Sequence, residues 1–212
     1  ARKADQAHPL AVYGTALCDY AAGMHLVQGI LVALIGREKT GRGQVVEVSL
    51  HDSMIAMQMQ EAAMELAEKR ELNWAAMPLS GVFETTDGAV VLVGAFKQNP
   101  LRDICSALEI EDLSPDYPDL ETQRANRDTL QAIFRENFAA NTTAHWLKRL
   151  EAQDLLCAPV KSLAEALEDP QTLHNGMIAE VQYDGVGSMR LIGSPVHLSD
   201  APLDIRIAAP RL

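Results

Sequence analysis

From Tyr20 to Ile35 the chain is apolar at almost every position, and only His25 and Gln28 are plainly polar. A run of this kind folds as a helix that is apolar all round, and such a helix needs protein packed on every side. A membrane span takes roughly 20 residues. The run is shorter, so it is expected to be a buried core helix with no membrane partner. Ala21, Ala22 and Gly23 crowd its first turn, where another backbone can approach closely. Asp19 lies where an N-cap belongs, next to orphan N–H groups and the positive end of the helix dipole. Two readings of Asp19 are open at this point. It caps the helix and nothing more, or a carboxylate held ionised at a buried helix start serves as a nucleophile.

The helix is expected to stop at Gly36, with Arg37 and Lys39 beside its negative C-terminus. Thr40-Gly41-Arg42-Gly43 reads as a turn. Its glycines allow a phosphate cradle, but it matches neither a P-loop nor a dinucleotide fingerprint and precedes a strand, so a helix stop is the expected role. Val46, Val48 and Leu50 alternate with Val45, Glu47 and Ser49, which predicts a strand. A second helix follows, His51 to Arg70, starting at Ser49 or Asp52. Its methionines 54, 57, 59 and 64 predict an adaptable core or subunit contact.

Beyond an irregular link with Asn73, Trp74 and Pro78, Gly81 to Phe96 reads as a hairpin about Thr86-Asp87-Gly88. Helices are expected at Pro100–Leu108, Arg124–Ala139 and Thr143–Gln153, with Thr142 or Thr143 capping the last. A short strand, Leu155–Val160, precedes brief helices capped by Ser162 and Asp169. Two strands follow, Met177–Tyr183 and Ser188–Ile192, and then a proline-bearing irregular tail. The polar residues Ala1 to Pro9 are expected to form an extended arm. Leu10 to Ala16 is expected to form a strand or approach segment.

Composition narrows the function. The 212 residues carry a net charge of −11, which argues against nucleic acid as the main partner. Cys18, Cys105 and Cys157 are odd in number and lack metal-ligand spacing, so reduced thiols in a cytoplasmic protein are expected. His25 stands six residues after Asp19, off its face, and reads as a buried, hydrogen-bonded histidine. His51 and Asp52 are expected to point apart. No Ser-His-Asp set, HExxH pair or CxxC pair occurs, so metal and serine-hydrolase chemistry find no support.

The run CDYAAGMHLVQGILVALIGREKTGRGQVVEVSLHD, Cys18 to Asp52, resembles the class III coenzyme A transferases. The matching positions are Asp19, Gly23 and Met24 at the helix start, Arg37 to Gln44, and Ser49, Leu50 and Asp52. PLSGVFETTDGAVVLVGA is similar to the family's small-domain hairpin. APVKSLAEALEDPQTLHNGMIAEV with IGSPVHLSDAP is similar to its C-terminal part. The resemblance therefore covers nearly the whole chain.

The resemblance implies an α/β fold of the class III transferase type, present in part. Residues 1–72 would be the end of a Rossmann-like large domain with a long linking helix. Residues 73–157 would be a small α+β domain, and 158–212 a segment returning to the large domain. Members are two-domain proteins about twice as long, so this chain corresponds to a C-terminal half. Its start would be processed, trimmed or the edge of a fragment. Asp19 would be the nucleophile, with a coenzyme A thioester and a small carboxylic acid as substrates and no metal. Members form interlocked rings of two chains, so a homodimer is implied.

Two departures bear on the reaction. Family racemases pair the aspartate with a histidine and a glutamate. The glutamate position falls near Lys97, which favours transferase over α-methylacyl-CoA racemase. The glycine-rich substrate loop of formyl-type enzymes is matched only by Ser80 and Gly81, so formate and oxalate chemistry is not implied. A third reading, from another class, is a dimerisation module without turnover.

Overall fold

The computed structural model describes residues 14–183, 185, 187–201 and 205. The expected arm, residues 10–13 and half of the tail lie outside the described residues.

The first helix, α1, spans Leu17–Thr40 and runs past Gly36. The true stop is Gly41, which takes a left-handed φ of 69° while its N–H donates to the Arg37 carbonyl at 2.7 Å. A left-handed cap favours glycine because it has no Cβ to clash. Gly36 is an interior residue of α1 and ends nothing. After the corner, residues 42–49 run back along α1: a Cβ on Gly29 would lie 2.7 Å from Val46 Cγ1. This stretch forms no strand among the described residues, a correction to the sequence expectation. Alternation gives a strand its faces, but a ladder needs a hydrogen-bonding neighbour. Ser49 then caps α2 (Leu50–Met57), its hydroxyl accepting from the Asp52 N–H at 3.0 Å. Gln58 interrupts the expected single helix before α3 (Met59–Glu68).

The buried-helix expectation is also corrected. Among the described residues of α1 only Ala21 is buried, and Tyr20, Val27, Leu31, Val32 and Ile35 are exposed. Among the described residues, the returning segment and α2 are what packs on it substantially. With 24 residues, α1 is long and apolar enough to cross a membrane by length and composition, so the length argument against a span falls away. Met57 and Met59 are likewise exposed rather than part of a core.

The hydrophobic core lies between Leu79 and Leu155. Strands β1 (Ser80–Glu84) and β2 (Ala89–Val93) form the expected hairpin, paired Phe83 to Val90 and Val82 to Val91. β3 (Leu156–Pro159) adds antiparallel to β2, giving the order β1-β2-β3. Pro159 cannot donate to a ladder and is confined to this edge. One face of the sheet is covered by α4 (Pro100–Leu108), α6 (Arg127–Phe138) and α7 (Thr143–Ala152). The short α5 (Leu120–Ala125) is separated from α6 by Asn126. Phe83 stacks on Phe138 at 4.8 Å and meets Phe134 edge-on at 6.0 Å. Trp146 closes the cluster, its Nε1–H donating to the Phe138 carbonyl at 2.8 Å. Buried Gln131 is satisfied by the carbonyls of Pro78 and Ser80, which clips the start of β1 to α6.

Gly94 leaves β2 against Leu79, where a Cβ would stand 2.6 Å from the Leu79 carbonyl oxygen. A backbone atom cannot yield as a side chain can. Gly94→Ala is expected to lower stability by about 1–3 kcal/mol, read as a lower urea midpoint at unchanged slope. An unchanged midpoint would contradict this packing.

The hairpin turn is tied to α7. Asp87 accepts from the Thr143 N–H at 2.7 Å and from the Thr85 hydroxyl at 3.2 Å. The Thr143 bonds foremost hold the Asp87 carboxyl below its ordinary range. A lowered folded-state pKa adds stability that is complete above the ordinary range and fades as pH falls through the folded value. Asp87→Asn removes this titration and keeps an acceptor. The acid limb of stability against pH is expected to become shallower, and an unaltered limb would remove Asp87 as a contributor.

The C-terminal part is lighter. α8 (Leu163–Leu167) opens on a complete capping box between Ser162 and Glu165, and Asp169 caps α9 (Pro170–His174). β4 (Ile178–Tyr183) and β5 (Gly187–Ile192) form a separate antiparallel hairpin.

Candidate active site

Asp19 occupies the third position of α1. The N-cap is Ala16, which makes no side-chain bond, so Asp19 is not the cap the sequence suggested. Its carboxylate still belongs to the first turn, where the free N–H groups and helix dipole favour negative charge. The side chain is exposed. Among the described residues no hydrogen bond or ion pair holds it, so the buried helix start is absent here. A carboxylate that is free and anchored on a rigid helix can reach an electrophile, which a capping carboxylate locked to the backbone cannot.

The other singled-out residues do not gather around it. His25 is half-buried rather than buried, and no hydrogen bond to it is found among the described residues. The glycine turn serves as the α1 stop, and the Thr40 hydroxyl donates to the Gly36 carbonyl at 2.9 Å. His51 and Asp52, expected to point apart, approach to 3.4 Å on the exposed start of α2. The Ser49 hydrogen bond chiefly, and then His51, hold the Asp52 carboxyl below its ordinary range. All three cysteines are free thiols, and burial pushes Cys105 and Cys157 up. Among the described residues no cluster of His, Cys, Asp and Glu is arranged for a metal ion.

Lys97 has a structural task. Its ammonium pairs with Asp103 at 2.9 Å and donates to the Gln153 carbonyl, joining the end of β2 to α4 and to the turn after α7.

One feature escaped the sequence. A cleft of about 420 Å³ opens between residues 74–80, 94–100 and 118–124, with Trp74, Met77, Pro78, Phe96, Pro118 and Leu120 as apolar walls. Next to it, about 370 Å³ is lined by Arg70, Arg124 and Arg127, with Met77 and Arg124 common to both. Asp19 does not line either space. The only sequence signal was negative, an irregular link with an unassigned tryptophan. The walls come from three separate stretches, which no local pattern joins.

The described residues form a mixed α/β chain with an aspartate in the first turn of a long apolar helix, a basic glycine corner and a small sheet-and-helix core. The family model described as CoA-transferase family III matches residues 3–212. The chain is 31% identical over 193 residues to succinyl-CoA:glutarate CoA-transferase of Mus musculus, covering 88% of this chain and 44% of that protein. It is 32% identical over 178 residues to succinyl-CoA:mesaconate CoA-transferase of Haloarcula marismortui, covering 81% and 44%. A crystal structure of a CAIB/BAIF family protein from Brucella suis superposes with a TM-score of 0.77 at 25% identity, over 95% of this chain and 54% of that one. The chain belongs to CoA-transferase family III. It spans less than half the length of these two curated relatives.

Proposed function

We propose that this chain carries the nucleophile-bearing half of an enzyme that moves coenzyme A between carboxylic acids, with Asp19 as the nucleophile. The observation that carries this reading is the free carboxylate of Asp19 in the first turn of a rigid helix, within the run that also holds the Arg37–Gln44 corner. Membership of the family supports the reaction class.

In this reading Asp19 attacks the thioester carbonyl. The carbon–sulfur bond breaks, coenzyme A leaves as thiolate, and an aspartyl anhydride forms. The thiolate attacks the aspartyl carbonyl, which releases the donor acid and leaves an aspartyl thioester. The acceptor carboxylate attacks that thioester and frees the thiolate once more. The thiolate then takes the acceptor acyl group from the new anhydride and restores Asp19. Each intermediate is water-sensitive, so the site must be shielded during turnover. Asp19 is open in this chain, and the exposed face of α1 is where further protein would pack. That protein would be the remainder of a two-domain subunit and a second copy in a homodimer. The division into 1–72, 73–157 and 158–212 belongs to the same proposal, as does a cytoplasmic setting. Lys97, near the racemase glutamate position and committed to Asp103, offers no carboxylate base and favours transfer over racemisation.

The test is chemical. Incubation of the intact enzyme with an acyl-CoA, quenching and peptide mass analysis should find coenzyme A mass on the peptide carrying Asp19. Treatment with hydroxylamine should remove it. Acyl transfer without any adduct at Asp19 would refute the assignment.

A further inference from the structure

The cleft beside Trp74 has a consistent chemistry. Its walls are mostly apolar, its junction with the neighbouring space carries one cation, Arg124, and Arg70 and Arg127 line that neighbouring space, in a protein whose net charge is −11. The three arginines are not equivalent. Arg127 is largely buried and already engaged: it donates to the Ala75 carbonyl at 3.2 Å and pairs with Asp128 at 3.2 Å, pinning residues 74–76 to α6, while its buried Nε–H meets no partner among the described residues. Arg70 pairs with Glu68 at 3.2 Å. Arg124 is exposed on the last turn of α5, lines both spaces, and has no ion pair or hydrogen bond among the described residues. The nearby acids do not neutralise it. Asp119 lines the apolar space from the other end of α5, roughly 7.5 Å along the helix at 1.5 Å per residue, and caps that helix through the Thr122 N–H at 2.8 Å. Glu71 lines only the neighbouring space.

An apolar trough ending at a free guanidinium suits an apolar body that carries an anionic end. Guanidinium geometry matches a carboxylate through two parallel hydrogen bonds. Resting on the coenzyme A transfer reading for the ligand being a carboxylic acid, we propose that this cleft binds a dicarboxylic acid or its monoacyl group and that Arg124 holds the free carboxylate. Arg127 is a positioning residue that keeps Trp74 and its segment in place. Arg124 sets specificity by rewarding the second charge.

The chain has two tryptophans. Trp146 is buried, and Trp74 is 45% exposed in the cleft wall. Emission of the full chain, titrated with glutarate, should therefore change saturably. The change should vanish in Trp74→Phe. Arg124→Gln should weaken glutarate roughly tenfold to hundredfold, the loss of a charge-assisted pair, and Arg124→Lys should weaken it less. Pentanoate, of equal length with one carboxylate, should bind the unaltered chain as weakly as glutarate binds Arg124→Gln. No saturable response, a response that persists in Trp74→Phe, or equal glutarate affinity in Arg124→Gln would overturn the proposal. So would tighter binding of inorganic phosphate or adenosine 3′,5′-bisphosphate, which would make this a phosphate site. No thioester and no turnover enter the titration. An inert Asp19 leaves it intact, and a failed titration leaves the Asp19 chemistry intact.

Discussion

Replacing Asp19 by alanine is expected to cut coenzyme A transfer by at least about 10³-fold, the scale of losing a covalent nucleophile. The fold should barely notice. Asp19 makes no capping bond and is exposed, so its stabilising role is limited to its interaction with the first turn of α1, about 0.3–1 kcal/mol. The two readings of this residue therefore predict opposite pairs of results. A nucleophile gives large activity loss with a near-normal urea midpoint. A structural acid gives a lower midpoint with activity retained per folded molecule. Asp19→Asn sharpens the contrast, since the amide keeps size and polarity and loses nucleophilicity. Transfer within tenfold of normal in both variants, measured by thioester exchange, would remove Asp19 from the reaction.

The second large effect concerns the core. Phe83→Ala is expected to destabilise the protein by about 3–5 kcal/mol, because a fully buried ring leaves a cavity its neighbours cannot fill. Phe83 is 0% exposed, packs on Phe134 and Phe138, and faces Val90 across the hairpin. The lost aromatic pairs add about 0.5–1.5 kcal/mol each, so Phe83 should exceed an aliphatic truncation such as Val90→Ala. Equilibrium unfolding in urea measures both. A loss below about 1 kcal/mol for Phe83→Ala would show that the core re-forms around the gap.

Several elements were legible because their signals are local. Asp87-Gly88 between two β-branched runs set the hairpin. Pro100 at the first position set α4, and Ser162 with Glu165 set α8. Other elements depended on partners that no local signal contains. The alternation from Val45 to Leu50 described a strand that lacks a neighbour among the described residues. The apolar run from Tyr20 described a buried helix that is exposed. The end of α1 turned on which glycine could take a left-handed φ with its N–H bonded back, and that was Gly41 rather than Gly36. Asp19 stood out through family resemblance more than through physics, since an aspartate near a helix start is ordinary. Arg124 gave no signal at all. Its significance comes from standing where two spaces meet.

Residues 44–49 carry one more consequence. They form no ladder among the described residues and lie beside a helix whose apolar side chains face solvent. An unmatched line of this kind is a template on which another chain can add by edge pairing. Association should rise with concentration, which light scattering over a dilution series measures.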